Sequence, residues 1–179
     1  MNNKEVKLLR GMISEFGLIL QNWEESGERE PQFKTRTSRI YVDKNKKYVL
    51  KEAIKYNEYD LIKREAHVLN LLNLKNFIWA PKLIRSENKL LMTEYCGEGV
   101  NERNIPSDYK IQAKKILQDL KELNIKHNDI KKSEILIKSG VVCLCDFGWA
   151  SINDDFSCGI DISNKHKIEG VSSDKNIIK

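Results

Sequence analysis

Residues 127–148 read His127-Asn-Asp-Ile-Lys131, then Lys132-Ser-Glu-Ile-Leu-Ile-Lys138, a Ser139-Gly140 pair, and Val141-Val-Cys-Leu-Cys145 running into Asp146-Phe-Gly148. Two short apolar runs, Ile135 to Lys138 and Val141 to Cys145, separated by a turn-forming Ser-Gly, predict a β-hairpin. Asp129 precedes the hairpin and Asp146 follows it, so an antiparallel pair brings both carboxylates to one end. Hard divalent cations take oxygen ligands of this kind.

Working upstream, Lys51 sits in Tyr48-Val-Leu-Lys51, an apolar strand candidate, and a cation carried on such an element needs an anionic partner. Glu65 supplies one. It lies on the next predicted helix, Asp60 to Leu74, whose Leu61, Ala66, Val68, Leu69, Leu71 and Leu72 form a broad apolar face while Lys63, Arg64, Glu65 and Asn70 are polar. Ser38 to Asp43 and Lys47 to Ala53 read as a first hairpin around Asp43-Lys44-Asn45-Lys46. Lys89 to Tyr95 reads as a buried strand, and Gly97 and Gly99 after it as a flexible joint. The spacing of Val6, Leu9, Ile13, Phe16, Leu20 and Trp23 predicts one N-terminal helix over Val6 to Trp23. Pro106 to Leu123 is a further helix with Ile111, Ala113, Ile116, Leu117, Leu120 and Leu123 on one side.

The composition is 40% hydrophobic and 32% charged over 179 residues, which fits one globular domain or two small lobes sharing an interface. The net charge of +5 is spread among acidic residues without a dense basic stripe, so nucleic acid is disfavoured as a partner while nucleotides remain suitable. No apolar run approaches the ~20 residues that cross a bilayer. Met1 to Lys7 lacks signal-peptide character, and we expect a cytoplasmic protein with no membrane partner. Cys96, Cys143, Cys145 and Cys158 form no C-x-x-C pair and read as buried free thiols rather than a zinc site.

Taken in order, Tyr48-Val-Leu-Lys51, Lys63-Arg-Glu-Ala-His-Val-Leu69, His127-Asn-Asp-Ile-Lys131 and Asp146-Phe-Gly148 resemble the eukaryotic-like protein kinases, including small members such as the Bud and RIO kinases. The resemblance runs from about Thr35 to Ser151. It implies an α+β, two-lobed protein-kinase-like fold with a truncated C-lobe: an N-terminal helix over 1–27, an N-lobe over 28–96, a minimal C-lobe over 97–162 and a weakly ordered tail over 163–179. It implies ATP and Mg2+ as cofactors and a hydroxyl acceptor, on protein Ser/Thr or on a sugar or other small alcohol. By the same resemblance Lys51 grips the α- and β-phosphates and Glu65 fixes its ammonium. Asp129 orients the attacking hydroxyl and accepts its proton, and Lys131 neutralises the transferring phosphoryl. Asp146 ligates magnesium, while His127 is scaffold. Leu91-Met-Thr-Glu-Tyr-Cys96-Gly97 resembles the adenine-binding hinge, with Thr93 as gatekeeper, the Glu94 carbonyl and Cys96 amide on the base, and Ile40, Val49 and Leu136 around it. Residue by residue, these apolar positions also suit ordinary core.

Three features depart from the family. The phosphate loop has no glycine, reading Lys34-Thr-Arg-Thr-Ser-Arg-Ile40, so hydroxyls or Arg36 would have to supply its donors. Glu134 stands where the family has a metal-binding Asn, and a carboxylate can ligate magnesium as well. No Ala-Pro-Glu motif follows Gly148 in this sequence, so we expect no conventional peptide groove, and Asn128 stands where the family has an arginine that reads activation-loop phosphorylation. These losses support a rival reading, a pseudokinase that binds nucleotide or a regulatory protein partner.

Overall fold

The computed structural model describes residues 3–20, 38–54, 59–162 and 173–178. Helix α1 (Asn3–Phe16) leads into β1 (Leu18–Leu20), followed by β2 (Ser38–Asp43), β3 (Tyr48–Ala53), α2 (Tyr59–Leu74), β4 (Leu83–Glu87) and β5 (Leu90–Glu94). The second half holds β6 (Glu98–Gly99), α3 (Tyr109–Glu122), β7 (Ile125–Lys126), β8 (Ile135–Lys138), β9 (Val141–Leu144) and β10 (Ser151–Ile152). Short 3-10 turns occupy Lys132–Glu134, Phe147–Trp149 and Asp174–Ile178. The result is a mixed fold with antiparallel sheets and few helices, as in a kinase domain. Among the described residues no helix is long and apolar enough to cross a membrane.

The first five strands form one antiparallel sheet in the order β1-β2-β3-β5-β4. Strand alternation splits its residues between two faces. Tyr41, Leu50, Leu90 and Met92 point to one side, where Leu9, Met12 and Leu18 close a small core beneath α1. Glu52 shares that face and is fully buried, yet its carboxylate accepts from Lys89 Nζ at 2.7 Å and Tyr41 Oη at 3.0 Å. Lys51 and Leu91 therefore point to the opposite face, towards α2. The larger core lies there, where Ile62, Ala66, Leu69 and Leu72 of α2 meet Ile116 and Leu120 of α3, Leu144 of β9 and Phe147.

The helix expected over Val6 to Trp23 stops at Phe16, because Gly17 takes a left-handed φ of 59° and the apolar Leu18–Leu20 run then pairs with β2. Trp23 lies outside the described residues. On α3 the buried stripe is Ala113, Ile116 and Leu120, and Ile111 is exposed because it falls off that stripe. The joint expected at Gly97 and Gly99 is instead a packed crossing. Glu98 and Gly99 pair with Ile137 and Leu136 of β8, and a Cβ on Gly97 would lie 2.1 Å from the Ile137 carbonyl oxygen. With φ at 111°, Gly97 is required both for its backbone conformation and for this contact. The tail expected to be weakly ordered also differs at its end. Residues 173–178 fold against α3, with Ile177 fully buried and its carbonyl accepting from Tyr109 Oη at 2.7 Å, whereas 163–172 lie outside the described residues.

Substituting Gly97→Ala forces both faults at once, and urea denaturation should show a loss of more than about 1 kcal/mol. An unchanged unfolding midpoint would contradict the crossing.

Candidate active site

Strand β3 delivers Lys51 to the α2 side of the sheet, and α2 presents Glu65 one turn into its buried face. Lys51 Nζ donates to Glu65 Oε2 at 2.8 Å and to Asp146 Oδ1 at 2.5 Å. The structure thus brings together three residues that lie far apart in sequence. Burial by itself would discharge Lys51, but the two carboxylates overcome it and hold the ammonium well above its ordinary range. Burial likewise pushes Asp146 up, and the Lys51 charge and hydrogen bond reverse this, leaving its carboxyl below its ordinary value. Glu65 moves the other way: its burial and the neighbouring Asp146 charge outweigh Lys51 and raise it.

Asp146 adopts a left-handed conformation at φ 63°, which turns the chain out of β9 and into the 3-10 turn Phe147–Trp149. Two features hold that turn to α2. Gly148 lies so close to Leu61 of α2 that a Cβ added to it would be 3.3 Å from the Leu61 Cβ, and the buried Arg64 guanidinium donates to the Gly148 carbonyl at 2.6 Å and the Phe156 carbonyl at 2.7 Å. Arg64 had read as a polar-face residue. Its partners are reached only through tertiary packing.

The loop carrying Asp129 is fixed from several directions. His127 is fully buried, its ring 4.7 Å from that of Phe147. Its Nδ1 accepts from the Asp129 amide at 3.3 Å, which assigns the proton to Nε2, and Nε2 then donates to the Cys145 carbonyl at 2.9 Å. Both ring nitrogens are occupied in positioning. Asn128, at φ 68°, donates through Nδ2 to the Trp149 carbonyl and Ser151 Oγ. Asp174 comes from the C-terminal turn, and its carboxylate accepts from the His127 amide at 2.8 Å and the Asn128 amide at 2.9 Å. Sequence reasoning missed Asp174; the apolar Ile177-Ile178 pair in an otherwise polar tail was the available signal.

Asp129 itself receives Lys131 Nζ at 2.8 Å, at the surface. Glu134 is turned into its own loop: Oε2 accepts from the Lys131 amide at 3.0 Å and Oε1 from Ser133 Oγ at 2.6 Å. Among the described residues no three His, Cys, Asp or Glu side chains form a metal-binding group. Magnesium needs only one or two protein carboxylates when phosphates and water complete its shell. Asp146, with its side chain 41% exposed, fits that demand, and Glu134 does so less well because both its oxygens already accept hydrogen bonds.

Register places Ile40, Val49, Lys51 and Thr93 on one sheet face, with Ile40 opposite Lys51 and Val49 opposite Thr93. Glu94 ends β5, where its carbonyl accepts from the Cys96 thiol at 3.4 Å. Leu136 belongs to a second sheet, β6-β8-β9, and pairs with Gly99 and Cys143. Of the glycine-free stretch 34–40, residues 34–37 lie outside the described residues.

Residues 32–159 match the sequence model of the family described as "Protein kinase domain". A curated relative, Aurora kinase of Saccharomyces cerevisiae, is 32% identical over 114 residues, covering 57% of this chain and 31% of that protein. The chain therefore spans about a third of the length of the relative it matches.

Two outcomes follow from this geometry. Asp174→Ala leaves two amides without their acceptor, which should cost about 1–3 kcal/mol in urea unfolding and speed hydrogen exchange at His127 and Asn128; unchanged exchange there would refute the tether. Lys51→Met strips Glu65 of its cation. A carboxyl whose folded pKa is raised contributes stability below its unfolded value and loses it as pH rises through the folded one. The deficit of this variant against the parent should therefore widen between pH 5 and pH 8, and a constant deficit would contradict the assignment.

Proposed function

The chain belongs to the protein kinase family, and from that premise we propose that it is a minimal ATP- and Mg2+-dependent phosphotransferase acting on a hydroxyl, with protein Ser/Thr as the first-choice acceptor. The observation that carries this reading is Lys51 held simultaneously by Glu65 and Asp146. A flexible ammonium gives a defined phosphate contact only when its position is fixed, and here strand β3, helix α2 and Asp146 just beyond β9 fix it together.

When bound, magnesium supplies charge neutralisation between phosphate oxygens, and Asp146 is the residue that would hold it. The remaining work falls to the protein's own side chains. Lys51 meets the phosphates while staying paired to Glu65. Asp129 accepts the proton of the acceptor hydroxyl, and Lys131, poised on Asp129, neutralises charge developing on the transferred group. His127 acts through position alone, setting the backbone of Asp129. Ile40, Val49, Thr93 and Leu136 line the base, with the Glu94 carbonyl and Cys96 amide as its polar partners. Division into an N-lobe over 28–96 and a C-lobe over 97–162 agrees with the break between the five-stranded sheet and the strands after Cys96, and a cytoplasmic location completes the reading.

One observation favours the alternative, a pseudokinase serving as a nucleotide- or partner-binding module. Glu134 spends both carboxylate oxygens inside its own loop.

Incubation of the purified protein with labelled ATP and magnesium, beside Asp129→Asn and Asp146→Ala, separates the two. The kinase reading expects self-labelling or ATP turnover that falls roughly 10²–10⁴-fold in Asp129→Asn, the span typical of a lost general base. A parent signal no higher than that of the variants removes the enzyme. A thermal shift with ATP that persists in Asp129→Asn and vanishes in Lys51→Ala would then support the binding module.

A further inference from the structure

Helix α1 and the edge strand β4 enclose an open cleft of about 320 Å³ on the sheet face away from Lys51. Arg85 and Glu87 stand opposite Met92 and Leu90 in the β4–β5 register, so both side chains point to the α1 face and form one wall. They pair with each other at 2.9 Å, and that wall is balanced in charge. The other wall is α1. Leu8 and Met12 give it an apolar lining around Gly11, while Lys4 and Lys7 lie towards one end and Glu15 at the other. Nothing lies within 4 Å of the place where a Cβ on Gly11 would sit.

Two features of α1 work against the helix, and both line this cleft. A glycine inside a helix is destabilising relative to alanine, and no crowding requires one at position 11. Lys4 occupies the first turn and Glu15 the last, the reverse of the order that the helix dipole favours. Lys4, Lys7 and Glu15 also have no ion-pair partner among the described residues. Local choices that cost stability gather where a surface serves function.

We propose that the cleft docks an extended segment of a partner protein carrying an acidic, an apolar and a basic residue at alternate positions. Lys7, Gly11 and Glu15 follow one another at four-residue steps, and each step advances about 6 Å along the helix. Alternate side chains on an extended strand are about 6.7 Å apart, a close match. The acid then meets Lys7, with Lys4 one turn away on the same face. The apolar side chain fills the space over Gly11, beside Leu8 and Met12, and the base meets Glu15. A small anion would use only the lysine end and leave Glu15 unmatched. Because the cleft lies on the face opposite Lys51, the proposal holds under either reading of the active site.

The full chain is titrated with the end-blocked peptide Glu-Thr-Leu-Thr-Lys while its backbone amides are followed by NMR. Saturable shifts are expected at residues 7–15 and 85–87. Affinity should fall about fivefold with Gln-Thr-Leu-Thr-Gln, the scale of exposed ion pairs, and about tenfold with Glu-Thr-Ala-Thr-Lys, the scale of a buried leucine. Lys7→Glu should weaken the first peptide and favour Lys-Thr-Leu-Thr-Lys in its place. Gly11→Leu occupies the open space, so it should abolish binding while raising the melting temperature through its better helix propensity. No saturable shift, equal affinity for the first three peptides, or binding intact in Gly11→Leu would overturn the proposal. So would hexanoate shifting the same amides as tightly as the peptide, which would give the cleft to a small amphipathic anion.

Discussion

A lysine ammonium carried into the interior by a strand is the constraint around which the rest of this molecule is arranged. Lys51 is placed by the alternation of β3 on the face away from α1, and an isolated charge there would shed its proton rather than remain buried. It stays charged because Glu65 arrives from α2 and Asp146 from the end of β9. The ion cluster is thus a three-way joint. Removing Lys51 leaves two carboxylates side by side without their cation, and a buried charge left unpaired costs more than the intact cluster contributes.

The joint in turn requires that the segment after β9 be held still. Asp146 turns through a left-handed conformation, and the turn behind it is pinned to α2 by the close approach of Gly148 to Leu61 and by Arg64 on the Gly148 and Phe156 carbonyls. The Asp129 loop is secured against the same segment, since His127 bridges the Asp129 amide and the Cys145 carbonyl. Asp174 closes the arrangement from the far end of the chain. Its carboxylate meets two loop amides that would otherwise be unsatisfied in a buried place, and Ile177 anchors it in the core. Rigidity of this loop is therefore assembled from tertiary contacts, with backbone groups as the main targets.

What could be read from the sequence follows from this division. Lys51, Glu65 and Asp146 announce themselves because charged residues interrupt or end apolar runs, and the hairpin over Ile135–Lys138 and Val141–Leu144 is marked by its Ser-Gly turn. The ends of elements were harder. At Gly17 the helical spacing of apolar residues continues into Leu20, but glycine permits the left-handed turn and strand pairing wins. Arg64 and Asp174 were not legible as site residues, since their partners are backbone groups remote in sequence and no periodicity encodes them. Gly97 was noticed for the wrong reason: its missing side chain serves a close approach to Ile137.

Glu134 shows how a local substitution is absorbed. Among the described residues Glu65 and Asp146 share Lys51 and Asp129 pairs with Lys131, so a carboxylate in place of an amide at 134 adds negative charge where the acids already outnumber their lysines. The loop answers by turning that carboxylate back onto the Lys131 amide and the Ser133 hydroxyl, each donating to one oxygen. Hydrogen bonds to the ionised form stabilise it without a counter-charge. The same bonds fix the 3-10 turn that leads into β8 and thereby the Cys145 amide, which donates to the Glu134 carbonyl. Glu134 has become part of the frame that aligns Asp129 with Asp146, and under the kinase reading metal binding then falls chiefly to Asp146.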